Sequence, residues 1–209
     1  MPNAAVSNIW NYYLILEQDL SNTSRFIEPE GQDNVYSFEF AKIIVLANTE
    51  VESVFKILCK EIADKDVGKM SYYKNIILNR FPKIVDAYVN VPRAGKNGLK
   101  PYEEWATGKL SWWDSYQHIK HSRNSRFSEA TYKNALLSLS GLYIIIFYLA
   151  ELTKTNFKDF ESNYILSPYR RSRLIEDAAK HLPDFGDDMH AEKGIYVLSD
   201  NETEITPKY

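Results

Sequence analysis

The chain has 209 residues, enough for one sizeable domain, and its composition of 44% hydrophobic and 25% charged residues is typical of a soluble globular protein. A formal net charge of −3 by itself indicates neither a nucleic-acid partner nor a membrane surface. The single cysteine, Cys59, excludes an intrachain disulfide and is expected in the core. Because the N-terminus also lacks the pattern of a signal peptide, we expect a cytoplasmic protein.

Acidic residues are concentrated at the C-terminal end of the chain. Residues 184–209 carry seven acidic and two basic side chains, which leaves 21 acidic and 23 basic ones in residues 1–183. We therefore expect one helical domain over 1–183 and an acidic, loosely structured tail over 184–209, in which IYVLSDNETEI is compatible with a hairpin.

Apolar residues recur at helical spacing through the first third of the chain. Residues 7–20 predict a helix with Ser7 as its cap, and a polar, turn-rich stretch follows. The pattern resumes with Ser37 as a cap and continues to about Ile62. Residues 71–80 predict a third, shorter helix.

The next segment breaks the helical pattern. Ile84–Val91 is β-branched and partly alternating, and Gly-Lys-Asn-Gly follows it, so we expect an extended or β-hairpin insertion near 84–100. The aromatic segment from Trp112 predicts the next helix, and the last one runs from Ser128 to about Leu152.

The last predicted helix contains the apolar run ALLSLSGLYIIIFYLA (135–150). This run is shorter than the roughly 18–20 residues that span a membrane, and it contains two serines and a glycine, so we expect a buried central helix and no membrane partner. The fold class predicted for the whole chain is all-α, a bundle of about four to six helices with the small insertion near 84–100.

Placing the second helix at 100° per residue separates its two central glutamates. Glu52 forms an i,i+4 pair with Lys56 on the polar side. Glu50 falls inside the apolar sector, where a carboxylate needs a cationic partner or a raised pKa. We predict a structural ion pair for Glu50, and an edge position with the carboxylate extended to solvent is the alternative.

The segment WWDSYQHIKHSRNSRF (112–127) combines aromatic and basic residues. On a regular helix one face holds the aromatic residues together with Lys120 and Arg123, which we expect to be semi-buried. Two cations on such a face favour an anionic partner such as Glu50, or contact with the aromatic rings.

Two ligand-binding hypotheses arise from the same segment. On the opposite face Asp114, His118 and His121 have the spacing of metal ligands, but no second ligand set supports them, so we expect no metal and no cofactor. Alternatively, Lys120, Arg123 and Arg126 contact the phosphates of an RNA partner while Tyr116 stacks on an unpaired base. The basic run RRSR (170–173) would add to this surface.

Three segments, in this order, resemble the HEPN superfamily of bacterial helical proteins: YSFEFAKIIVLANTEVESVFKILCKEI (36–62), WWDSYQHIKHSR (112–123) and NALLSLSGLYIIIFYL (134–149). The resemblance implies a domain of four to five helices, usually a homodimer, often linked to phage defence or toxin–antitoxin systems. Active members are metal-independent endoribonucleases whose arginine and histidine act on the RNA 2′-OH and the scissile phosphate, near the dimer seam.

The chain departs from the family signature of an arginine, four to six residues and a histidine. No arginine lies five to seven positions before any of the four histidines, and the order is reversed in Lys120-His121-x-Arg123. We therefore assign His121, Arg123 and Lys120 as catalytic residues by type and by place in the fold plan. On a regular helix His121 and Arg123 point apart, so they converge only if the helix unwinds near His121 or a second subunit supplies one of them.

A non-catalytic function remains the alternative. In that hypothesis the chain is a helical dimerisation or protein-interaction module, and Lys120 and Arg123 are structural ion-pair residues.

Overall fold

The computed structural model describes residues 4–155, most of which belong to five α-helices. They are α1 (Ala4–Thr23), α2 (Phe38–Ala63), α3 (Met70–Arg80), α4 (Ser111–Arg126) and α5 (Tyr132–Leu152). Between α3 and α4, strands β1 (Val89–Val91) and β2 (Lys96–Leu99) form an antiparallel hairpin. The predicted all-α bundle with a small hairpin insertion is confirmed.

Capping side chains define where α2 and α5 begin. The predicted cap of α2 is confirmed, since Ser37 Oγ accepts a hydrogen bond from the backbone N–H of Phe40 at 3.1 Å. α5 begins later than expected, because Ser128 lies in a 3-10 turn and Thr131 caps the helix instead. α1 starts at Ala4, so Ser7 lies inside the helix and does not cap it.

The apolar helix α5 forms the centre of the bundle and contacts α1, α2 and α4. Within residues 4–155 it is the one helix long and apolar enough to cross a membrane, and 89% of its most apolar window is buried inside the fold. This burial confirms the prediction of a central core helix. A buried hydrogen bond of 2.8 Å from Asn48 Nδ2 to Ser138 Oγ joins it to α2.

Aromatic side chains hold the first half of α4 against α5. The indole of Trp112 donates a hydrogen bond to the carbonyl of Pro101 at 2.7 Å, and the hydroxyl of Tyr102 donates one to the carbonyl of Gly141 at 2.9 Å. A Cβ atom at Gly141 would lie 3.0 Å from the ring of Trp112, so this glycine permits the close approach. The start of α4 is therefore rigidly placed.

Cys59 is fully buried in α2, as predicted for a core residue, and desolvation raises the pKa of its thiol to about 11. The boundary predicted at residue 183, the acidic tail with its hairpin, and the RRSR run all lie outside the described residues.

Candidate nucleic-acid interface

The helix α4 is interrupted near its C-terminal end. Ser122 has φ −140° and ψ 34°, values that do not belong to an α-helix. Ile119 is the last buried residue of α4, and every residue from 120 to 126 is exposed, so no core packing holds this end in helical register. Serine and asparagine side chains also compete for backbone hydrogen bonds, and Ser125 Oγ donates to the carbonyl of Ser122 at 3.1 Å.

The interruption borders a groove of about 890 Å³ between the start of α2 and the end of α4, which we name the basic groove. Its described lining residues are Phe38, Ala41, Lys42, Val45, Ile119, Lys120, His121, Ser122, Arg123, Asn124 and Ser125. His121 and Arg123 thus line the same groove, although they would point apart on a regular helix. The helix departs from regular geometry at Ser122, one residue after His121 and one before Arg123.

Positive charge in the basic groove is incompletely neutralised. None of its described lining residues is acidic, and Arg123 makes no ion pair with any residue of the described chain. Lys42 also lines the groove, but its ammonium group pairs with two carboxylates that do not line it, Asp19 at 3.1 Å and Glu39. Lys120 and Arg123 therefore supply the charge available to an anionic ligand.

Tyr116 positions Lys120 and does not reach the solvent. Lys120 Nζ donates a hydrogen bond to the hydroxyl of Tyr116 at 3.0 Å and lies 5.2 Å from the ring centroid, and this hydrogen bond is the main cause of the raised pKa of Lys120. Because Tyr116 is fully buried, it offers no free face to a base. The assignment of Tyr116 as a stacking residue is therefore corrected.

The expected ion pair of Glu50 with Lys120 or Arg123 is not found in the described part of the chain. Glu50 is half-buried, and desolvation raises its pKa as predicted, but both cations are exposed and neither contacts it. The α2 carboxylate whose charge acts on Lys120 is Glu52, which also forms its predicted pair with Lys56 at 2.9 Å. A helical wheel orders the faces of one helix, but it does not say which face meets α4.

Two side chains outside the basic groove share the carboxylate of Glu129. Nδ1 of His118 is 2.8 Å from Oε2 of Glu129, and the guanidinium of Arg126 is 3.2 Å from Oε1 of the same carboxylate. Arg126 does not line the basic groove, so its predicted role in RNA binding is not supported by its position.

The hypothetical metal set of Asp114, His118 and His121 does not assemble in this structure. His118 bonds to Glu129, whereas His121 lines the basic groove. Within residues 4–155 no three histidine, cysteine, aspartate or glutamate side chains lie close enough to hold a metal ion together.

The α2 wall of the groove is absent from the sequence-based prediction. Phe38 and Phe40 are two residues apart, so they lie about 200° apart on the helix, and Phe40 is buried while Phe38 is 72% exposed. The spacing in YSFEF was therefore a signal that one phenylalanine faces solvent. Lys42 and Val45 lie one turn and two turns beyond Phe38 on the same wall.

Neither a protein-family model, nor a curated protein, nor a solved structure matches the chain. Membership of the HEPN superfamily therefore stays a prediction that rests on the three segments quoted above.

Proposed function

We propose that this protein is an HEPN-like, cytoplasmic RNA-binding protein that acts as a metal-independent endoribonuclease of a defence or toxin–antitoxin type system. The observation that supports the proposal is the interruption at Ser122, which accompanies the presence of His121 and Arg123 in one groove. The groove contains His121 together with Lys120 and Arg123, and none of its described lining residues is acidic. This combination suits the binding of an RNA phosphodiester.

The proposed chemistry needs no metal and no cofactor. His121 takes the proton of a ribose 2′-OH, and the 2′-oxygen attacks the adjacent phosphorus. Arg123 and Lys120 stabilise the negative charge that develops on the phosphorane. The bond between phosphorus and the 5′-oxygen then breaks, and the 5′-oxygen takes a proton from water. The hydroxide that remains accepts the proton held by His121, which restores the neutral imidazole, and the products are a 2′,3′-cyclic phosphate and a 5′-hydroxyl.

A homodimer belongs to the same proposal, because HEPN-like proteins usually pair and place their sites near the seam. Two copies would present two basic grooves to one RNA. Light scattering of the purified protein tests this element independently of cleavage.

The first prediction concerns His121 and Arg123. Purified protein should cleave RNA in the presence of EDTA, and His121→Ala or Arg123→Ala should lower the rate by about 100-fold or more, because each removes a proton acceptor or a charge from the reacting centre. His118→Gln is the matched control, since His118 lies on the same helix but bonds to Glu129 outside the groove, and it should retain the rate.

The competing hypothesis of a protein-interaction module makes a different prediction for the same residues. If Lys120 and Arg123 were structural, Lys120→Ala and Arg123→Ala would lower the melting temperature. Arg123 is exposed and makes no ion pair in residues 4–155, which favours an unchanged melting temperature with weakened RNA binding for Arg123→Ala. Lys120→Ala also removes the hydrogen bond to the buried hydroxyl of Tyr116, so Arg123→Ala is the variant that separates the two hypotheses. A wild-type protein that neither binds nor cleaves RNA contradicts the proposed function.

A further inference from the structure

Three aromatic rings lie together at the α2 end of the basic groove, and we name Tyr36, Phe38 and Phe127 the aromatic ledge. The ring centroids of Phe38 and Phe127 are 4.5 Å apart, and Tyr36 meets Phe127 edge to face at 5.6 Å. Phe38 is 72% exposed and Tyr36 53% exposed, whereas Phe127 is partly buried against the core. Phe127 thus supports two rings that face the solvent.

The backbone beneath the aromatic ledge is held at several points. Tyr36 forms an isolated antiparallel bridge with Thr131, and the N–H of Ser37 donates a hydrogen bond to the carbonyl of Ala130 at 3.2 Å. Ser37 also caps α2, so Phe38 begins a helix whose direction is set. The exposed ring of Phe38 is therefore attached to a backbone segment that is already held in place without a ligand.

Phe38 belongs both to the aromatic ledge and to the wall of the basic groove, which it shares with Lys120 and Arg123. An exposed ring beside unneutralised cations matches a ligand with an apolar flat face and a negative charge a short distance away. An unpaired nucleotide has this combination, since its base presents a π-face and its phosphate is anionic. The absence of acidic groups from the described lining excludes a basic peptide as the favoured ligand.

We propose that the aromatic ledge stacks one unpaired RNA base on Phe38 while the adjacent phosphate binds Arg123 and Lys120. The inference rests on the proposed function and sharpens it, because it requires the RNA to be single-stranded at this position. A base inside a duplex is covered on both faces by its neighbours and offers no surface to Phe38. The ledge therefore selects unpaired segments and sets which nucleotide reaches His121.

The test is fluorescence anisotropy with a short single-stranded RNA and with the same strand in a duplex. Phe38→Ala should weaken binding of the single strand by about 5- to 150-fold, the range expected for one lost stacking contact, and Phe38→Trp should restore it. Duplex binding should be unaffected by either change. Phe26→Ala is the control, because Phe26 is 88% exposed and does not line the groove.

The salt dependence of binding separates stacking from charge. Arg123→Ala should lower the slope of log affinity against log salt concentration by about 0.7, whereas Phe38→Ala should leave the slope unchanged. A change of slope in Phe38→Ala would mean that the ring acts by holding a cation in place, which contradicts stacking.

The outcomes distinguish the two proposals. If wild-type protein binds RNA in an Arg123-dependent manner and Phe38→Ala binds equally well, the stacking inference is overturned while the proposed function stands. If wild-type protein binds no RNA, the proposed function fails and the inference fails with it. If Phe38→Ala instead converts a dimer to a monomer and keeps its RNA affinity, the ledge is a contact between copies of the chain.

Discussion

At the scale of single residues, the carboxylate of Glu50 is partly desolvated, which disfavours its charged form. It is half-buried in α2 and makes no hydrogen bond or ion pair within the described residues, and desolvation raises its pKa above the ordinary value of 4.5. Because the folded state binds this proton more tightly than the unfolded state, the charged form at neutral pH costs stability. The fold gains stability as the pH falls through the raised pKa.

Glu50→Gln is therefore expected to raise the melting temperature at pH 7 by about 1–2 °C. The gain should vanish at a pH below 4.5, where the wild-type carboxyl is protonated in both states. Thermal unfolding followed by circular dichroism at the two pH values measures the effect. Glu52→Gln is the control with the opposite sign, since it breaks the pair with Lys56. A lower melting temperature for Glu50→Gln at pH 7 would reveal a stabilising partner for the carboxylate.

At the scale of secondary-structure elements, α4 has two halves with different determinants. Buried aromatic side chains hold the first half against α5, whereas the second half is exposed and contains Ser122, Asn124 and Ser125. These residues have weaker helix propensity than alanine and offer the backbone other hydrogen bonds. The interruption that borders the basic groove is thus a local property of HSRNSR.

Ser122→Ala combined with Ser125→Ala should favour a continuous helix through residue 126. A continuous helix would place His121 and Arg123 about 200° apart and change the lining of the basic groove. Under the proposed function, RNA cleavage should then fall by about tenfold or more while thermal stability stays equal or rises. Cleavage rates and melting curves of the double variant measure both effects. Ser128→Ala is the control, because Ser128 lies in the 3-10 turn that follows and does not line the groove. Full activity in a variant whose helicity has increased would contradict the role of the interruption.

At the scale of the whole molecule, several tyrosines are buried as neutral phenols. Desolvation raises the pKa of Tyr73 and Tyr132 to about 12, and it raises those of Tyr102 and Tyr148 further. The folded state therefore retains these protons at a pH where the unfolded chain releases them. The stability that these neutral phenols contribute is fully present below the ordinary tyrosine pKa of 10. It is lost progressively as the pH rises from there through the raised pKa values of the folded state.

The protein should consequently unfold cooperatively between about pH 10 and pH 12, with tyrosinate absorbance rising as the helical signal disappears. Absorbance and circular dichroism recorded along one alkaline titration make the comparison. If all the tyrosines ionise near pH 10 while the helices persist, the buried phenols are accessible to solvent and the expectation is wrong.

The parts of the fold that the sequence predicts are those governed by neighbouring residues. The cap at Ser37, the short helix α3 and the hairpin near 84–100 follow from local propensity and spacing. A serine followed by a glutamate predicts the start of α5 at Ser128, whereas Thr131 makes the capping hydrogen bond.

The site was harder to predict because it is built from two distant segments. The sequence predicts His121 and Arg123, but Phe38 and Lys42 lie about eighty residues earlier and line the same groove only because α2 packs beside α4. The burial of Tyr116 and the unpaired state of Glu50 likewise depend on which faces of α2 and α4 meet. Periodicity within one helix carries no information about that contact.

The bridge between Tyr36 and Thr131 has a consequence for the order of events during synthesis. The α2 wall of the groove is held by residues 130 and 131, which leave the ribosome long after α2 itself. A nascent chain that ends before α5 lacks this hold and also lacks the central core helix. If the proposed function is correct, the chain acquires its capacity to act on RNA only after residues 130 and 131 and the core helix α5 have been synthesised.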